Sequence, residues 1–579
     1  MNVRTAFLLA GVFFISLALF VQGLLPALEP QSTTTRVTRV VRTDLGELKW
    51  MESEATDYTA QESLGRAVYI REGCWYCHSQ YIRPVTGETV RWGPVTQSGE
   101  YAYDRPHLFS TRRIGPDLSR VGLKYSDEWH LAHFWDPRMV VPDSIMPRFA
   151  RLFEGPYPGI AIVPDGEGNL TLERTPQTDR LFDFEGGERR RLTPNAEGLL
   201  FVPRAGLYPI LYRPQDQFAG DRVTLVLPTP ELLGLIAYVQ KLGTNRGKWR
   251  DRFEPQLVDS GQGTVPASAE WLERGEQVYG RRCAGCHGVS GDGNGPAATF
   301  LTETRPRDFR LGLFKFRSTE SGSLPTDGDL MRTLTRGVRG TAMPTWHDLP
   351  EKDRLAVIQY LKLKLAVDSS QDPSHPWAWF AEQAPTPPIY VGPPPPPSQG
   401  LIAQGRQVWD QAKCWECHGR DGQGDGEKAP ELEDDWGFPI RPANLTLGLY
   451  KSGPNAADIF RTVSTGLNGT PMPSFRDSFT EEERWALAYF VLSLSAYRDP
   501  GSGAPIAIAP KDRQALNDPA LAAPESERAY RRHRGGGTSY GGEAWAAKHG
   551  IETLGQVGGA TGAGGGGHRA AGPRGDGDG

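Results

Sequence analysis

The run Cys74-Trp75-Tyr76-Cys77-His78 decides how this chain is read, because the same spacing returns twice. It reappears as Cys283-Ala284-Gly285-Cys286-His287 and as Cys414-Trp415-Glu416-Cys417-His418. The three units use all six cysteines of the 579-residue chain, leaving no thiol for a disulfide, a thiolate copper centre or a reactive cysteine. In such a unit the two thiols add to the vinyl groups of a haem, and the histidine becomes its proximal iron ligand. Two other uses compete. A zinc site needs four ligands, and each unit would have to find a fourth without a cysteine to spare. A thioredoxin-like pair does not require the following histidine. A histidine in the same place three times favours three covalently bound haems c, held through Cys74, Cys77, Cys283, Cys286, Cys414 and Cys417, with His78, His287 and His418 on the irons.

A second axial ligand is expected later in each unit. The candidates are Met146 in Ser144-Ile145-Met146-Pro147, Met343 in Thr341-Ala342-Met343-Pro344, and Met472 in Thr470-Pro471-Met472-Pro473. The chain has only seven methionines, yet a Met-Pro pair follows each histidine at similar range. Proline fixes the local backbone and removes a donor, which suits a loop that must present a thioether. The competing reading is a methionine that only fills a core, and Met139 and Met331 are rivals in the first two units. Histidine and methionine together fill both axial positions and raise the reduction potential relative to two histidines. That arrangement favours electron transfer over oxygen or peroxide chemistry, so no catalytic residue is expected. His130 and His133, on one face of a predicted helix, could bind a metal, hydrogen-bond a haem propionate, or lie near the surface. The basic residues Arg112, Arg113, Arg120 and Lys124 suit propionates or a solvated face equally.

Outward from the cysteine units, the chain reads as a repeat. Each unit begins with a helical run carrying a glycine four residues before an aromatic: Gly65 and Tyr69, Gly275 and Tyr279, Gly405 and Trp409. Each ends in an apolar-striped helix. Thr229-Pro230-Glu231 opens the first such helix, and Thr480 with Glu483 forms a capping box for the third. Tyr238, Tyr360 and Tyr489 sit at matching places. The expected fold is mainly α, with three class I cytochrome c-like helical domains at 58–245, 268–367 and 401–497. The first should carry a β-rich insertion at about 152–226, where short β-type runs alternate with Gly and Pro. A proline-rich linker is expected at 368–400, separating the second and third domains without fixing their orientation. The Gly/Ala/Pro-rich tail at 498–579 reads as disordered.

At the N-terminus, Thr5–Leu28 contains no charged residue and is long enough to cross a bilayer. It is longer than the apolar part of a signal peptide and lacks a convincing cleavage site, so an anchor over 5–28 is expected. Arg36, Arg39 and Arg42 follow it while only Arg4 precedes it, which weakly opposes the usual charge bias. Attachment of haem c outside the bacterial cytoplasm decides for periplasmic haem domains on a single-pass inner-membrane protein. The formal net charge of −5 comes from 64 basic and 69 acidic side chains, without the basic excess that nucleic-acid binding calls for.

The first unit resembles a known family. Glu72-Gly73-Cys74-Trp75-Tyr76-Cys77-His78-Ser79-Gln80-Tyr81-Ile82-Arg83-Pro84, Arg112-Arg113-Ile114-Gly115-Pro116-Asp117-Leu118-Ser119-Arg120-Val121-Gly122, Tyr125-Ser126-Asp127-Glu128-Trp129-His130 and Ser144-Ile145-Met146-Pro147 are similar to the mono-haem subunit II of cbb3-type cytochrome c oxidases. The likeness covers roughly residues 1–150 and the helix at 229–243. It implies His78 and Met146 as axial ligands and a membrane-embedded haem-copper catalytic subunit as partner. The later units are similar to generic cytochrome c domains, as in the di-haem subunit of the same oxidases. The β-rich insertion and the fusion to two further haem domains depart from subunit II.

The expected function is therefore electron relay, from a soluble donor such as a cytochrome c to the catalytic subunit of a terminal oxidase. The chain is not expected to be an enzyme on its own, since one membrane segment cannot build a haem-copper site. A nitric oxide reductase-like partner, or a stand-alone multihaem enzyme such as a di-haem peroxidase, are the alternatives.

Overall fold

The glycine near the middle of each opening helix sets how each helical unit is assembled. In the computed structural model the first opening helix, Ala60–Arg71, starts at a capping box between Thr59 and Glu62. It crosses the closing helix Pro230–Lys241, which is capped by Thr229 with proline in its first turn. A Cβ on Gly65 would lie 1.8 Å from the Gly234 carbonyl oxygen, so the helices cross backbone to backbone and only glycine fits. Tyr69 lies one helical turn on and meets Tyr238 at a ring-centroid distance of 5.3 Å. The second unit repeats the crossing with Ala269–Arg282 and Glu351–Tyr360, where a Cβ on Gly275 would come 2.3 Å from the Ala356 oxygen. The third uses Gln399–Gln411 and Glu481–Ser493, with 2.1 Å between a Gly405 Cβ and the Ala486 oxygen.

The third unit corrects one expected correspondence. The residue one turn beyond the crossing point is Tyr238 in the first unit, Tyr360 in the second and Phe490 in the third. Phe490, not Tyr489, packs on Trp409, at 5.5 Å. Tyr489 is turned aside and its hydroxyl donates to the Pro395 carbonyl at 2.7 Å. The apolar stripes behave as amphipathic helices should: Leu232, Leu235, Ile236 and Val239 are buried in the first core, and Val357, Ile358, Leu361 and Leu365 in the second. Each such side chain stabilises its domain by roughly 1.5–3 kcal/mol relative to exposure.

The structure describes residues 2–28, 33–85, 88–164, 222–253, 268–301, 304–369, 376–438 and 440–508, residues 374, 513 and 516, and short strand segments between 170 and 212. The expected insertion contains a five-stranded sheet in the order Arg189–Arg191, Leu170–Glu173, Phe153–Pro164, Arg222–Pro228, Ile210–Tyr212, all antiparallel. The helix Val3–Leu19 continues through Phe20–Leu24, is wholly exposed and is long and apolar enough to cross a membrane.

One element was not anticipated. Arg36–Arg42 and Leu48–Glu54 pair as an antiparallel hairpin, with register running from Arg36 opposite Glu54 to Arg42 opposite Leu48. Val40 and Trp50 are each 1% exposed. The hairpin lies between the first and third helical units. On one side the Lys248 amide donates to the Val40 carbonyl at 2.8 Å; on the other the Tyr497 amide donates to the Arg42 carbonyl at 2.9 Å. The buried Arg42 guanidinium bonds the Gly46 and Pro454 carbonyls and pairs with Asp251 at 3.4 Å.

The linker and the start of the tail also differ from expectation. The proline-rich stretch is laid along its neighbours rather than hanging between them. The Ile389 amide donates to the Ser318 carbonyl, the Thr386 amide to Ser323, and Pro395 accepts from Tyr489. The extended backbone of such a segment makes no internal hydrogen bonds, which leaves its amides and carbonyls free for these bonds. Beyond Tyr497, Arg498 bridges to Pro505, and Leu516 is buried in a small cluster with Val41, Met51 and Tyr497. The rest of the expected disordered tail lies outside the described residues.

Candidate haem centres

Each cysteine pair begins where an opening helix ends, on a short helical turn: Cys74–Tyr76, Ala284–His287 and Trp415–His418. Burial raises the thiols of Cys74, Cys283, Cys286 and Cys414 to about 12, and raises Cys417 as well. These are protonated thiols, not the low-pKa thiolates of a redox-active pair. Among the described residues no group of three or more His, Cys, Asp or Glu gathers as a metal cage, which removes the zinc reading for the described surroundings.

The three histidines share one local arrangement. Nδ1 of His78 lies 2.8 Å from the Pro116 carbonyl, Nδ1 of His287 lies 3.3 Å from the Arg307 carbonyl, and Nδ1 of His418 lies 3.3 Å from the Ala443 carbonyl. A ring that donates from Nδ1 presents Nε2 as its basic nitrogen, the usual outer-shell arrangement of a metal-binding histidine. Burial lowers the pKa of all three, to about 4 for His287, so the rings are neutral and able to coordinate. Gly115 makes room for the first ring: a Cβ there would be 2.2 Å from His78 Cε1.

The methionine loops repeat as closely. The amides of Met146, Met343 and Met472 accept support two residues back, donating to the hydroxyls of Ser144, Thr341 and Thr470 at 3.2, 3.1 and 3.3 Å. All three methionines are half-buried. Met146 and Cys74 pack on one core, and Met343 and Cys283 on another. In the third unit Cys414 packs on the core beside Phe475, which follows Met472 closely. Of the rivals, Met331 accepts a bond from the Thr335 hydroxyl at 3.6 Å, and Met139 lies at the first unit's boundary with the second, its carbonyl against Gly285. Donor types, neutral rings and protonated thiols together fit covalent haem c with histidine and methionine on the iron.

The weaker candidates resolve differently. His130 and His133 are not surface residues. Burial drives both to about 3, and Nε2 of His130 and Nδ1 of His133 lack a partner among the described residues. Among the described residues no third metal ligand gathers with them. Arg113 and Arg120 are neither solvated nor free for propionates. Arg113 bonds Ser79 and Glu88 and pushes Glu88 down to about 2. Arg120 is buried, pairs with Glu100 at 2.5 Å and bonds the Pro94 carbonyl. Arg113 thereby ties down Ser79, the residue after His78.

Sequence reading missed a cationic pocket between the second and third units. Lys315, Arg317, Arg332, Arg336, Lys451 and Arg461 line it, beside Gly337 and Gly466 of the two methionine loops. Asp329 and Asp458 neutralise part of this charge. Lys315 is lowered to about 7 by burial, with Lys451 and Arg307 adding to the effect. The signal was present, since Gly312-Leu313-Phe314-Lys315 and Gly448-Leu449-Tyr450-Lys451 are a repeat.

Comparison with known families matches residues 46–162 to the mono-haem subunit of cytochrome c oxidase, FixO. Residues 270–361 match subunit III of cbb3-type cytochrome c oxidase, and residues 402–495 match cytochrome c. Among solved structures the chain is similar to one from the Kuenenia stuttgartiensis reducing HAO-like protein complex Kustc0457/Kustc0458, at 40% identity, covering 40% of this chain and 99% of that chain, with a TM-score of 0.36. A search of curated proteins returns no match.

Proposed function

We propose, from the premise that this chain is a cbb3-type oxidase cytochrome c subunit with extra cytochrome c domains, that it is a tri-haem relay delivering electrons to a haem-copper catalytic subunit. The donor is a soluble cytochrome c. The N-terminal helix anchors the chain in the inner membrane, with the haem domains on the periplasmic side. The domains run over 58–245, 268–367 and 401–497.

The observation that carries this reading is the threefold recurrence of one ligand arrangement. Each unit couples a half-buried neutral histidine held at Nδ1 by a carbonyl to a Met-Pro loop tied by a hydroxyl two residues back. His78, His287 and His418 with Met146, Met343 and Met472 are the axial ligands, and the six cysteines form the thioethers. Bound haem c supplies a one-electron iron couple. The polypeptide excludes water, fixes the rings and sets the local charge. With both axial positions filled from within the chain, substrate has no iron to bind, which favours a conduit over a catalyst.

The test is purification of the full chain from native membranes, with identification of what accompanies it. A multi-span haem-copper subunit and oxygen-consuming activity are expected. Nitric oxide consumption without oxygen consumption would move the chain to the nitric oxide reductase-like alternative. High-spin haem and peroxidase activity in the isolated chain would point to a stand-alone enzyme.

A further inference from the structure

The first and second domains meet at the loops nearest their haem attachments. A Cβ on Gly285, inside the second cysteine unit, would lie 2.2 Å from the Met139 carbonyl oxygen of the first domain. The Thr304 hydroxyl donates to Glu128 across the same boundary at 2.9 Å. At the centre of the contact is Trp129, 8% exposed. On the second-domain side it clusters with Leu301 and with Ala342, the neighbour of Met343, and Cys286 packs against that cluster.

On its other side Trp129 belongs to the first domain's own site. Its ring stacks between Tyr125, at 3.9 Å and 11°, and His133, at 4.5 Å and 17°. Tyr125 also packs against the first domain's core, as do Cys74 and Met146. Packed side chains therefore run from the core that carries Cys74 and Met146, through Tyr125 and Trp129, to Cys286 and the Met343 loop.

We propose that Trp129 is the bridge for electron transfer between the second and first haems, which makes the second domain the intermediate station next to the oxidase-type domain. This deepens the relay reading and rests on it. One electron leaves the iron held by His287 and Met343, which passes from ferrous to ferric, and reaches the iron held by His78 and Met146, which passes from ferric to ferrous. No bond or proton changes hands, and the indole ring is neither oxidised nor reduced. Tunnelling decays more slowly through packed atoms than across a gap, and Trp129 fills the gap between the two domains.

The experiment uses the full chain with its haems. Trp129→Leu removes the ring. Gly285→Glu installs a side chain that the same motif holds at the matching place in the third unit, Glu416, and prises open the contact with Met139. After rapid photoreduction, first-haem reduction by the second haem should slow severalfold in both variants. Haem content, the three midpoint potentials and the exchange between the second and third haems should stay as in the parent. First-haem reduction at the parental rate in either variant, with potentials unchanged, overturns the bridge. Should Trp129→Leu lose its first haem, Gly285→Glu decides alone. Failure of the relay reading looks different: the parent chain itself would show no transfer into its first haem.

Discussion

The first and third cytochrome domains share one interior and differ in what surrounds it. Both cross two helices at a glycine, hold histidine Nδ1 against a carbonyl and tie a Met-Pro loop by a hydroxyl. Around that common core the first domain adds a hairpin, a five-stranded sheet and two arginine networks, whereas the third continues past its closing helix in a short extension where Arg498 bridges to Pro505. Haem retention is thus encoded locally and repeated. The additions concern position: the hairpin fixes the first domain against the third, and the helix Asp127–Trp135 meets the second.

Substitutions at the helix crossings test the common core and should have the largest effect. Gly65→Val and Gly405→Val each drive a side chain into a carbonyl that cannot move, and each should abolish haem retention in its own domain while sparing the other. Gly234→Ala, whose Cβ would come 3.1 Å from the Gln61 carbonyl oxygen and the Gly65 nitrogen, should weaken haem retention less than Gly65→Val does. Loss of both haems from one substitution would show that the domains do not fold as separate units.

Arg120→Met tests what is peculiar to the first domain. It leaves Glu100 buried with only the more distant Arg246, at 3.6 Å. Removing one partner of a buried pair costs about 3–5 kcal/mol, so chemical denaturation should show the first domain unfolding earlier with the third unmoved. The axial methionines return to what is shared. Replacing Met146, Met343 or Met472 singly with histidine should lower one midpoint potential each in a spectroelectrochemical titration, whereas Met139→Leu and Met331→Leu should leave all three in place.

The smallest effect is a pH dependence steepest in the first domain. His130 and His133 stay neutral in the folded state down to about 3, while the unfolded chain takes up their protons from about 6.5. Stability is therefore lost as pH falls from about 6.5 toward 3, by up to roughly 1.4 kcal/mol per pH unit for each histidine. The third domain has no histidine besides His418, so its denaturation midpoint should be flatter between pH 7 and 5. Equal slopes for the two domains would contradict the burial of this pair.

Much of the site is legible in the sequence because covalent haem attachment imposes fixed spacing. Cys-x-x-Cys-His and Met-Pro need no tertiary information to be found. The helix crossings were legible too, since glycine four residues before an aromatic is a packing pattern. The hairpin was overlooked although Arg36-Val37-Thr38-Arg39-Val40-Val41-Arg42 is rich in β-branched residues, because its arginines read as membrane-flanking charge. Burial of Arg42 against Asp251 and Pro454 depends on chain far away in sequence. Placement of Phe490 rather than Tyr489 on Trp409 turns on a one-residue rotation that periodicity cannot resolve. Trp129 looked like part of a family signature, and only the approach of Leu301, Ala342 and Cys286 shows what lies on its far side.

The central claim is three covalent haems on one chain, and intact-mass spectrometry with a pyridine haemochrome assay tests it most directly. The account predicts a denatured polypeptide heavier by three haem masses, falling to two when both Cys414 and Cys417 are replaced by alanine. A chain carrying two haems or fewer, or zinc in place of one of them, would contradict it.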